Sequence, residues 1–487
     1  MNFQIHKNPA VSLSATIILS LLMHLHVFNR DLVGYHVWRQ TQTQATIESF
    51  YKEDFNILHP KTNDRGAGDG ILRQEFPIMQ WLFTCFYKAF GDRLIITRIL
   101  SFIIGVFSVL GIFSLLKNIF QNTTIALLGA WAFNFSPIFY YYTMNPLPDN
   151  LALCCAIWGL SLFIQWTRSK SLRIILLAVL FFSLSALTKL PYVLYLIFPL
   201  VYFYSARKEG SLNKTAALLI GLAFLPVFSW YVFVLPEMKG NPVLYGVLSG
   251  KKMSISEVAD ILQHNLISTL PELLVNYGAM IFFVGGFYLA WKRKVGRHEL
   301  FRPLLGLAIG LILYFLFEMN LIAKVHDYYL LPFLPLIFLT IAYGAQHLIQ
   351  INKMWLRFGV FLLIILPATA FIRANTRWNL EKPGFNADLY TYKEELRSAA
   401  PDTALCVVGN DDSKNIFYYY LDKKGWAFES DSLSPENLKT MTAQGAGYLY
   451  SDSRKLDENP ELKPLLDSLV MQRGSFRVYK LKNTFAL

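Results

Sequence analysis

The chain has 487 residues, of which 54% are hydrophobic and only 16% are charged. This composition excludes a disordered chain, a fibrous repeat and a small disulfide scaffold. A soluble protein of this length carries roughly 25% charged residues, so most of this surface faces something other than water. The 45 basic residues outnumber the 33 acidic ones. The cytoplasmic loops of membrane proteins are rich in Lys and Arg, so this excess does not require a nucleic-acid partner. The composition therefore predicts an integral membrane protein.

Eleven apolar stretches are candidates to cross about 30 Å of hydrocarbon. If residue 1 is cytoplasmic, fifteen basic residues and only two acidic ones, Glu209 and Glu299, lie in or beside the loops on that side. The first stretch has no small-residue cleavage site, so we expect a retained helix. Eleven spans then put the C-terminus on the extracytoplasmic side. The stretches lie near residues 11–28, 94–117, 121–142, 149–167, 172–187, 190–206, 214–235, 274–291, 303–319, 328–348 and 355–374.

The C-terminal tail, residues 375–487, is long enough for a small domain. Short apolar runs at 404–408, 447–450 and 476–481 alternate with helical patterns, and Ser434 followed by Pro435 is typical of a helix start. We predict two parts: a transmembrane domain over 1–374, including the first outer loop at 29–93, and an extracytoplasmic α/β domain over 375–487. A further outer segment is expected at 236–273.

The first outer loop contains a polar stretch that fits a helix over 38–52. Arg39, Gln42, Thr43 and Thr46 then fall on one face, which could hold a phosphate or a ligand with several hydroxyl groups. The alternative is a helix that lies in the headgroup layer with its polar side in water.

Glu75 comes just before an apolar, aromatic run at 77–90 that is too short to span a membrane and fits an interfacial helix. Partial desolvation at that boundary suits a carboxylate to act as a general base. The alternative is a solvated or helix-capping glutamate.

Two further polar positions occur at the same membrane face. Asp149 begins the fourth apolar stretch, where helix capping also explains it. Lys189 separates two apolar stretches, and a lysine there is costly unless it meets an anion. A lipid phosphate is the natural partner, although snorkelling to ordinary headgroups is the alternative.

Glu318 and then His326, Tyr328 and Tyr329 lie where the ninth stretch ends and the tenth begins. Tyrosines are common at that boundary, and a histidine there is either a binding group or a satisfied polar residue. The polar clusters therefore converge on one membrane face. A transporter would be expected to place ionisable groups near the midplane, so the asymmetry favours an enzyme at the outer leaflet.

The order of these motifs resembles membrane glycosyltransferases of the dolichyl-phosphate-mannose protein mannosyltransferase type and their relatives, the aminoarabinose lipid A transferases. The resemblance covers roughly residues 1–350. The motifs are Trp38-Arg39-Gln40, Glu75-Phe76-Pro77, the second span with Arg98, Pro148-Asp149, Leu187-Thr188-Lys189 and the run from His326 to Pro332.

The resemblance implies an all-α polytopic fold of the GT-C type and a polyprenyl-phosphate sugar donor in the outer leaflet. It also implies transfer with inversion, which needs a carboxylate base and a cation for the departing phosphate. The family usually carries an acidic residue in the first loop helix, but here that stretch reads Arg39-Gln40-Thr41-Gln42, with no carboxylate until Glu48.

We therefore assign the base to Glu75, with Asp69 and Asp149 as alternatives. Arg39, Arg73 and Lys189 are candidates for phosphate contact, and Gln40, Gln42, His326, Tyr328 and Tyr329 for recognition of the donor or acceptor. Glu75, Asp149, Lys189 and His326 should line one outward cavity. No compact set of metal ligands is visible, and a divalent cation remains an open alternative.

The sequence thus predicts an inverting glycosyltransferase of the inner (plasma) membrane that acts on an extracytoplasmic glycan, lipid or protein. Two alternatives stay open at this stage. One is a transporter or flippase of lipid-linked saccharides, and the other is a noncatalytic envelope-assembly protein.

Overall fold

A computed structural model describes residues 8–237, 253–292, 299–322, 326–348, 353–409, 413–429 and 432–482. Most of the predicted outer segment 236–273 is described, but its residues 238–252 lie outside these ranges, as do four of the basic residues counted above, Lys7, Arg293, Lys294 and Arg297.

The chain forms two compact units that are interleaved along the sequence. The helical unit consists of Met1–Asn29, Gln74–Phe76 and Thr97–Thr376, and the sheet unit of Arg30–Arg73, Pro77–Ile96 and Arg377–Leu487. Most of the first outer loop thus belongs to the same compact unit as the C-terminal tail. The division of the chain at residue 374 stays a prediction.

The described helices follow one another in chain order, with 3₁₀ segments at Leu190–Leu196, Tyr277–Ala279, Asp327–Phe333 and Lys463–Leu465 and a π-helix at Asn265–Val275. The α-helices are α1 (Pro9–His24), α2 (Val37–Lys52), α3 (Ile78–Phe90), α4 (Leu94–Phe120), α5 (Thr123–Asn134), α6 (Pro137–Tyr142), α7 (Pro148–Ser169), α8 (Leu172–Thr188), α9 (Ile197–Lys208), α10 (Lys214–Leu222), α11 (Phe224–Val234), α12 (Ile255–His264), α13 (Met280–Lys292), α14 (Phe301–Ile322), α15 (Leu334–Leu348), α16 (Lys353–Asn375), α17 (Ala387–Thr391), α18 (Lys393–Ser398), α19 (Ile416–Leu421), α20 (Pro435–Ala443) and α21 (Arg454–Asp457).

Each of the eleven apolar stretches is largely helical in the structure. Within the described ranges, seven helices are long and apolar enough to cross a membrane, or eight if the bent pair Ile255–Val275 and Tyr277–Lys292 is one span. Two more, α1 and α8, are apolar but shorter. The stretch predicted at 121–142 is divided, because Pro137 starts a new helix after α5.

The spans differ in how much of their surface is packed inside the unit. Most residues in the apolar part of α7, and of the span from Asp327 to Leu348, are buried. By contrast, most residues in the apolar parts of the spans that contain α9, α10–α11 and α14 are not buried. Exposed side chains there are large and apolar, such as Phe228 and Leu313. Such surfaces suit a hydrocarbon solvent.

The sheet unit contains one five-stranded sheet in the order β2-β1-β3-β5-β4. Its strands are β1 (Leu405–Val408), β2 (Lys424–Ala427), β3 (Ala446–Ser451), β4 (Leu466–Arg473) and β5 (Phe476–Leu481). Strand β1 pairs in parallel with β2 and β3, and β5 pairs antiparallel with β3 and β4. Successive residues alternate between two cores, with Cys406 and Val408 in one and Val407 in the other.

The predicted α/β character of the tail is confirmed. The three predicted strands are β1, β3 and β5, and Ser434 caps α20 by accepting a hydrogen bond from the Asn437 amide at 3.1 Å. Strands β2 and β4 were not predicted.

The first outer loop covers the β2 edge of the sheet. The amides of Arg65 and Gly66 both donate to the Gly425 carbonyl, at 2.9 and 2.7 Å. Glu53 links the loop to β2. It accepts two hydrogen bonds from the Arg65 guanidinium, at 2.9 and 3.0 Å, and one from Lys424 at 2.7 Å. Burial alone would raise the pKa of Glu53, but the bonds from Arg65 and Lys424 outweigh it and lower that pKa to about 2.

Helices α2 and α3 pack together through buried polar contacts. Gln44 donates to the Tyr87 hydroxyl at 2.8 Å and to Glu48 at 3.1 Å. Lys52 lies 3.6 Å from Glu48 and also 3.6 Å from Asp422. Burial outweighs the attraction of Lys52 and raises the pKa of the Glu48 carboxyl to about 7.

Replacing Glu53 with Gln should destabilise the sheet unit at neutral pH by about 1–2 kcal/mol, because the neutral amide cannot make the charge-assisted bonds that the carboxylate makes with Arg65 and Lys424. Because the folded pKa is depressed, the contribution is present above pH 4.5 and is lost as pH falls through about 2. Thermal unfolding of the purified protein at pH 7 and pH 3 measures it. The control is Glu429→Gln, which removes a half-exposed ion pair with Lys414 and should change the free energy of unfolding by less than about 0.5 kcal/mol. Equal destabilisation by the two variants would show that the bonds of Glu53 do not stabilise the sheet unit.

Replacing Glu48 with Gln should have the opposite sign. The folded pKa is raised, so ionisation as pH rises from 4.5 to about 7 costs stability that the neutral amide does not lose. We expect Glu48→Gln to be more stable than wild type by about 1–3 kcal/mol at pH 8 and equal to it at pH 4. The control is Asp422→Asn at a mostly exposed carboxylate; a stabilisation by Glu48→Gln that does not depend on pH would contradict the stated cause.

Candidate active site

The helical unit contains a cavity of about 890 Å³ whose lining combines charged, aromatic and apolar side chains. Glu75, Lys189 and Glu318 supply the charged groups, and much of the remaining wall comes from residues 190–197 and from α14. Several apolar lining residues, such as Leu190 and Leu313, are exposed. The cavity therefore joins a polar end to a wall that suits hydrocarbon chains.

Glu75 reaches the cavity because the short segment Gln74–Phe76 is fixed on two helices. The Phe76 amide donates to the Leu187 carbonyl of α8 at 3.1 Å, and the Trp230 indole of α11 donates to the Gln74 carbonyl at 3.0 Å. The Phe76 ring also packs edge-on against Trp230, with 4.9 Å between ring centres. These contacts hold Glu75 near the end of α8, because Leu187 lies only two residues before Lys189 in the chain.

Lys189 occupies the break between α8 and the following 3₁₀ segment. Helix α8 ends at Thr188, Lys189 is extended, and Pro191 lies in the first turn of the 3₁₀ segment that begins at Leu190. The Lys189 ammonium lies 3.8 Å from a carboxylate oxygen of Asp149 and 5.7 Å from the centre of the Tyr329 ring. The lysine side chain is only 13% exposed, so this partly buried cation is neutralised by a carboxylate and faces the cavity.

Asp149 is positioned by a hydrogen-bonded turn before α7. Arg98, buried in α4, donates to the Met144 carbonyl at 2.7 Å and to the Asn145 side chain at 2.6 Å. Asn150 donates to the Tyr142 carbonyl at 2.7 Å. The turn places Asp149 in the first turn of α7, where a negative charge is favoured by the helix dipole. Asp149 is 2% exposed and contacts Lys189, but it is not among the lining residues.

His326, Tyr328 and Tyr329 form a cluster, of which only Tyr329 lines the cavity. His326 stacks on Tyr329, with 5.0 Å between ring centres, and its Nδ1 lies 3.2 Å from the Tyr328 hydroxyl. Tyr329 lines the cavity, whereas His326 and Tyr328 do not. Asp327 accepts a hydrogen bond from the Tyr142 hydroxyl, which ties the cluster to the end of α6.

The candidates from the first outer loop belong to the sheet unit. Arg39 donates to the Gln42 side chain, and Gln40 donates to the Tyr35 carbonyl at 3.0 Å. Asp69 accepts from the Ile71 amide at 3.0 Å, and Arg73 donates to the Leu58 carbonyl at 2.7 Å. Each of these four side chains thus has a contact within its own loop.

The predicted polar face of the first loop helix is largely enclosed. Arg39 is 6% exposed and Thr43 is 2% exposed, while Gln42 and Thr46 are half-buried. A helix whose polar side lies in water would show the opposite pattern. The structure therefore does not support that alternative, and the roles of Arg39, Gln40 and Gln42 in binding stay predictions.

Three polar lining residues were given no role from the sequence: Glu318, Tyr314 and Tyr231. A glutamate inside an apolar stretch is a detectable signal, since such residues are costly and commonly functional. The tyrosines carry no such signal among the 26 of the chain. No group of three His, Cys, Asp or Glu side chains that could hold a metal ion occurs in the part of the chain that the structure describes.

Residues 74–233 match the family model of dolichyl-phosphate-mannose-protein mannosyltransferase. This range contains Glu75, Asp149 and Lys189. No curated protein is significantly similar to the chain in sequence.

Solved structures with a similar fold include ArnT from Cupriavidus metallidurans bound to undecaprenyl phosphate, at 11% identity and a TM-score of 0.64, with 98% of each chain covered. The archaeal oligosaccharyltransferase AglB from Archaeoglobus fulgidus, in complex with an inhibitory peptide and a dolichol-phosphate, is 13% identical at a TM-score of 0.62, with 91% of this chain and 69% of that chain covered. The arabinofuranosyltransferase AftD from Mycobacteria is 13% identical at a TM-score of 0.57, with 97% and 41% covered.

These likenesses and the apolar helices agree on a multi-pass integral membrane protein. The family resemblance inferred from the sequence motifs is confirmed, and the chain has the GT-C fold of membrane glycosyltransferases.

Proposed function

We propose that the chain is an inverting glycosyltransferase that moves a sugar from a polyprenyl-phosphate donor to an extracytoplasmic glycan, lipid or protein. The observation that carries the proposal is the shared cavity of Glu75 and Lys189, which joins a carboxylate, a cation and an apolar wall in one space. A polyprenyl-phosphate sugar has the matching parts: a hydrocarbon chain, an anionic phosphate and a polar sugar.

The chemistry follows from these parts. The acceptor hydroxyl oxygen attacks the anomeric carbon and forms the new glycosidic bond while the bond from that carbon to the phosphate oxygen breaks. Glu75 takes the hydroxyl proton, and the departing polyprenyl phosphate keeps the electron pair. Lys189 is placed to stabilise the negative charge that develops on the phosphate. A single displacement on the face opposite the leaving group inverts the anomeric centre.

Asp149 has a supporting role in this scheme. A lysine in apolar surroundings is costly without an anion, and Asp149 supplies one at 3.8 Å. That distance is longer than a hydrogen bond, so the ammonium keeps donors for phosphate oxygens. Asp149 and Asp69 remain the alternative bases.

The proposal includes a location. The basic residues of the loops on one side favour a plasma-membrane protein with those loops in the cytoplasm. In that orientation the active site and residues 375–487 would face the extracytoplasmic side. The likeness of the fold to ArnT with bound undecaprenyl phosphate supports a lipid-linked donor. The chemical identity of the acceptor is open among glycans, lipids and proteins.

A transporter or flippase of lipid-linked saccharides would use the same cation and apolar wall, but it would not need a base. The decisive experiment is the release of free polyprenyl phosphate from a panel of radiolabelled lipid-linked sugars by the purified protein. Replacing Glu75 with Gln keeps the size of the side chain and removes the base, so release should fall by roughly 10²- to 10⁴-fold while the donor still binds.

Glu272→Gln is the matched control, because Glu272 is paired with Arg373 and does not line the cavity. It should release lipid phosphate at the rate of wild type. Release that survives Glu75→Gln would move the base to Asp149 or Asp69. Absence of release with every donor, together with movement of labelled donor across vesicle membranes, would favour the transporter.

A further inference from the structure

Glu318 is a third charged group of the cavity, and neither capping nor a surface position explains it. It lies within the apolar span α14, one turn after Tyr314, and both side chains line the cavity. Residues four apart share a helix face, so α14 presents Tyr314 and Glu318 together. An ionisable side chain in such a span is costly and is usually retained for function.

The contacts of Glu318 leave part of its carboxylate unused. Its Oε2 atom is buried and accepts no hydrogen bond from the residues that the structure describes. The charge of Lys189 acts on it, but that ammonium also lies 3.8 Å from Asp149. A buried oxygen acceptor without a donor is costly, and the cost is removed when a ligand supplies one.

The candidate ligands differ in what they can offer this oxygen. A phosphate diester carries only acceptors and a negative charge, and a polyprenyl chain carries no polar group. The hydroxyl groups of a sugar are donors and would satisfy a carboxylate. Of the three parts of a polyprenyl-phosphate sugar, only the sugar fits Glu318.

We propose that Glu318 binds a hydroxyl group of the transferred sugar and thereby helps to select the donor. This inference rests on the proposed function. A specificity role follows because a site with a buried acceptor discriminates against a substrate that lacks the matching donor.

The test uses purified full-length protein and a set of donors in which one sugar hydroxyl at a time is replaced by hydrogen. For one position, wild type should lose roughly 10- to 100-fold in kcat/KM. Glu318→Gln should lose a similar factor with the complete donor and should process that deoxy donor as wild type does, because both changes remove the same contact. Glu318→Leu, which suits an apolar span, should behave likewise if the Gln variant folds poorly.

Glu209→Gln is the control, since Glu209 is exposed at the end of α9 and outside the cavity; it should discriminate among the donors as wild type does. A second readout is inhibition by sugar-free polyprenyl phosphate, which should not be weakened by Glu318→Gln, because the substitution removes a negative charge and no contact with the phosphate.

Losses that multiply at every deoxy position would overturn the inference. So would weaker inhibition by the sugar-free lipid, which would place the effect of Glu318 on Lys189 and the phosphate. Failure of wild type to release lipid phosphate from any donor would instead refute the proposed function, so the two failures are distinguishable.

Discussion

The site depends on the cost of holding an ammonium group between apolar helices. Lys189 is 13% exposed and lies at the junction of α8 with the span that ends in α9. Desolvation of a charge is repaid only by close opposite charges, and Asp149 provides one at 3.8 Å. Three features of the site bear on this cost. The end of α8 positions the lysine, the turn before α7 positions Asp149, and the carboxylates of Glu75 and Glu318 line the same cavity.

The fold positions these groups with local devices. Helix α8 ends at Thr188, so Lys189 is extended immediately before the 3₁₀ segment that begins at Leu190. Arg98 uses its guanidinium to hold the turn before α7, which fixes Asp149. The bond from the Phe76 amide to the Leu187 carbonyl brings Glu75 to the same place. Three segments that are distant in sequence thus converge, held by the backbone bond of Phe76 and by the side chains of Arg98 and Trp230.

Much of the fold was readable from the sequence, because apolar length and helix signals are local. The apolar stretches, the helix at 38–52 and the start at Ser434-Pro435 all follow from residues within one or two turns. Strand β2 contains Gly425, and β4 is an edge strand with most residues exposed, so neither shows the alternation of a half-buried strand. The attachment of the loop around Arg65 to β2 depends on residues more than 350 positions apart, as in the Lys424–Glu53 contact, and no local pattern reports it.

The candidate site was only partly readable for the same reason. Glu75 and Lys189 stand out because each is a charged residue beside an apolar run. The enclosure of Arg39 and Thr43 could not be inferred, since a polar helix face looks the same whether it meets water or protein. Glu318 is visible in the sequence as a charge within a span, but its place beside Lys189 is a property of the tertiary fold.

In the proposed reaction, Lys189 receives the phosphate of a polyprenyl-phosphate lipid inside this cavity. An experimental structure of the protein with bound sugar-free polyprenyl phosphate would decide the point. We expect phosphate oxygens within hydrogen-bonding distance of the Lys189 ammonium and a lipid chain along the apolar wall formed by residues 190–197 and α14. A phosphate bound outside the cavity and away from Lys189 would rule out this role of the lysine.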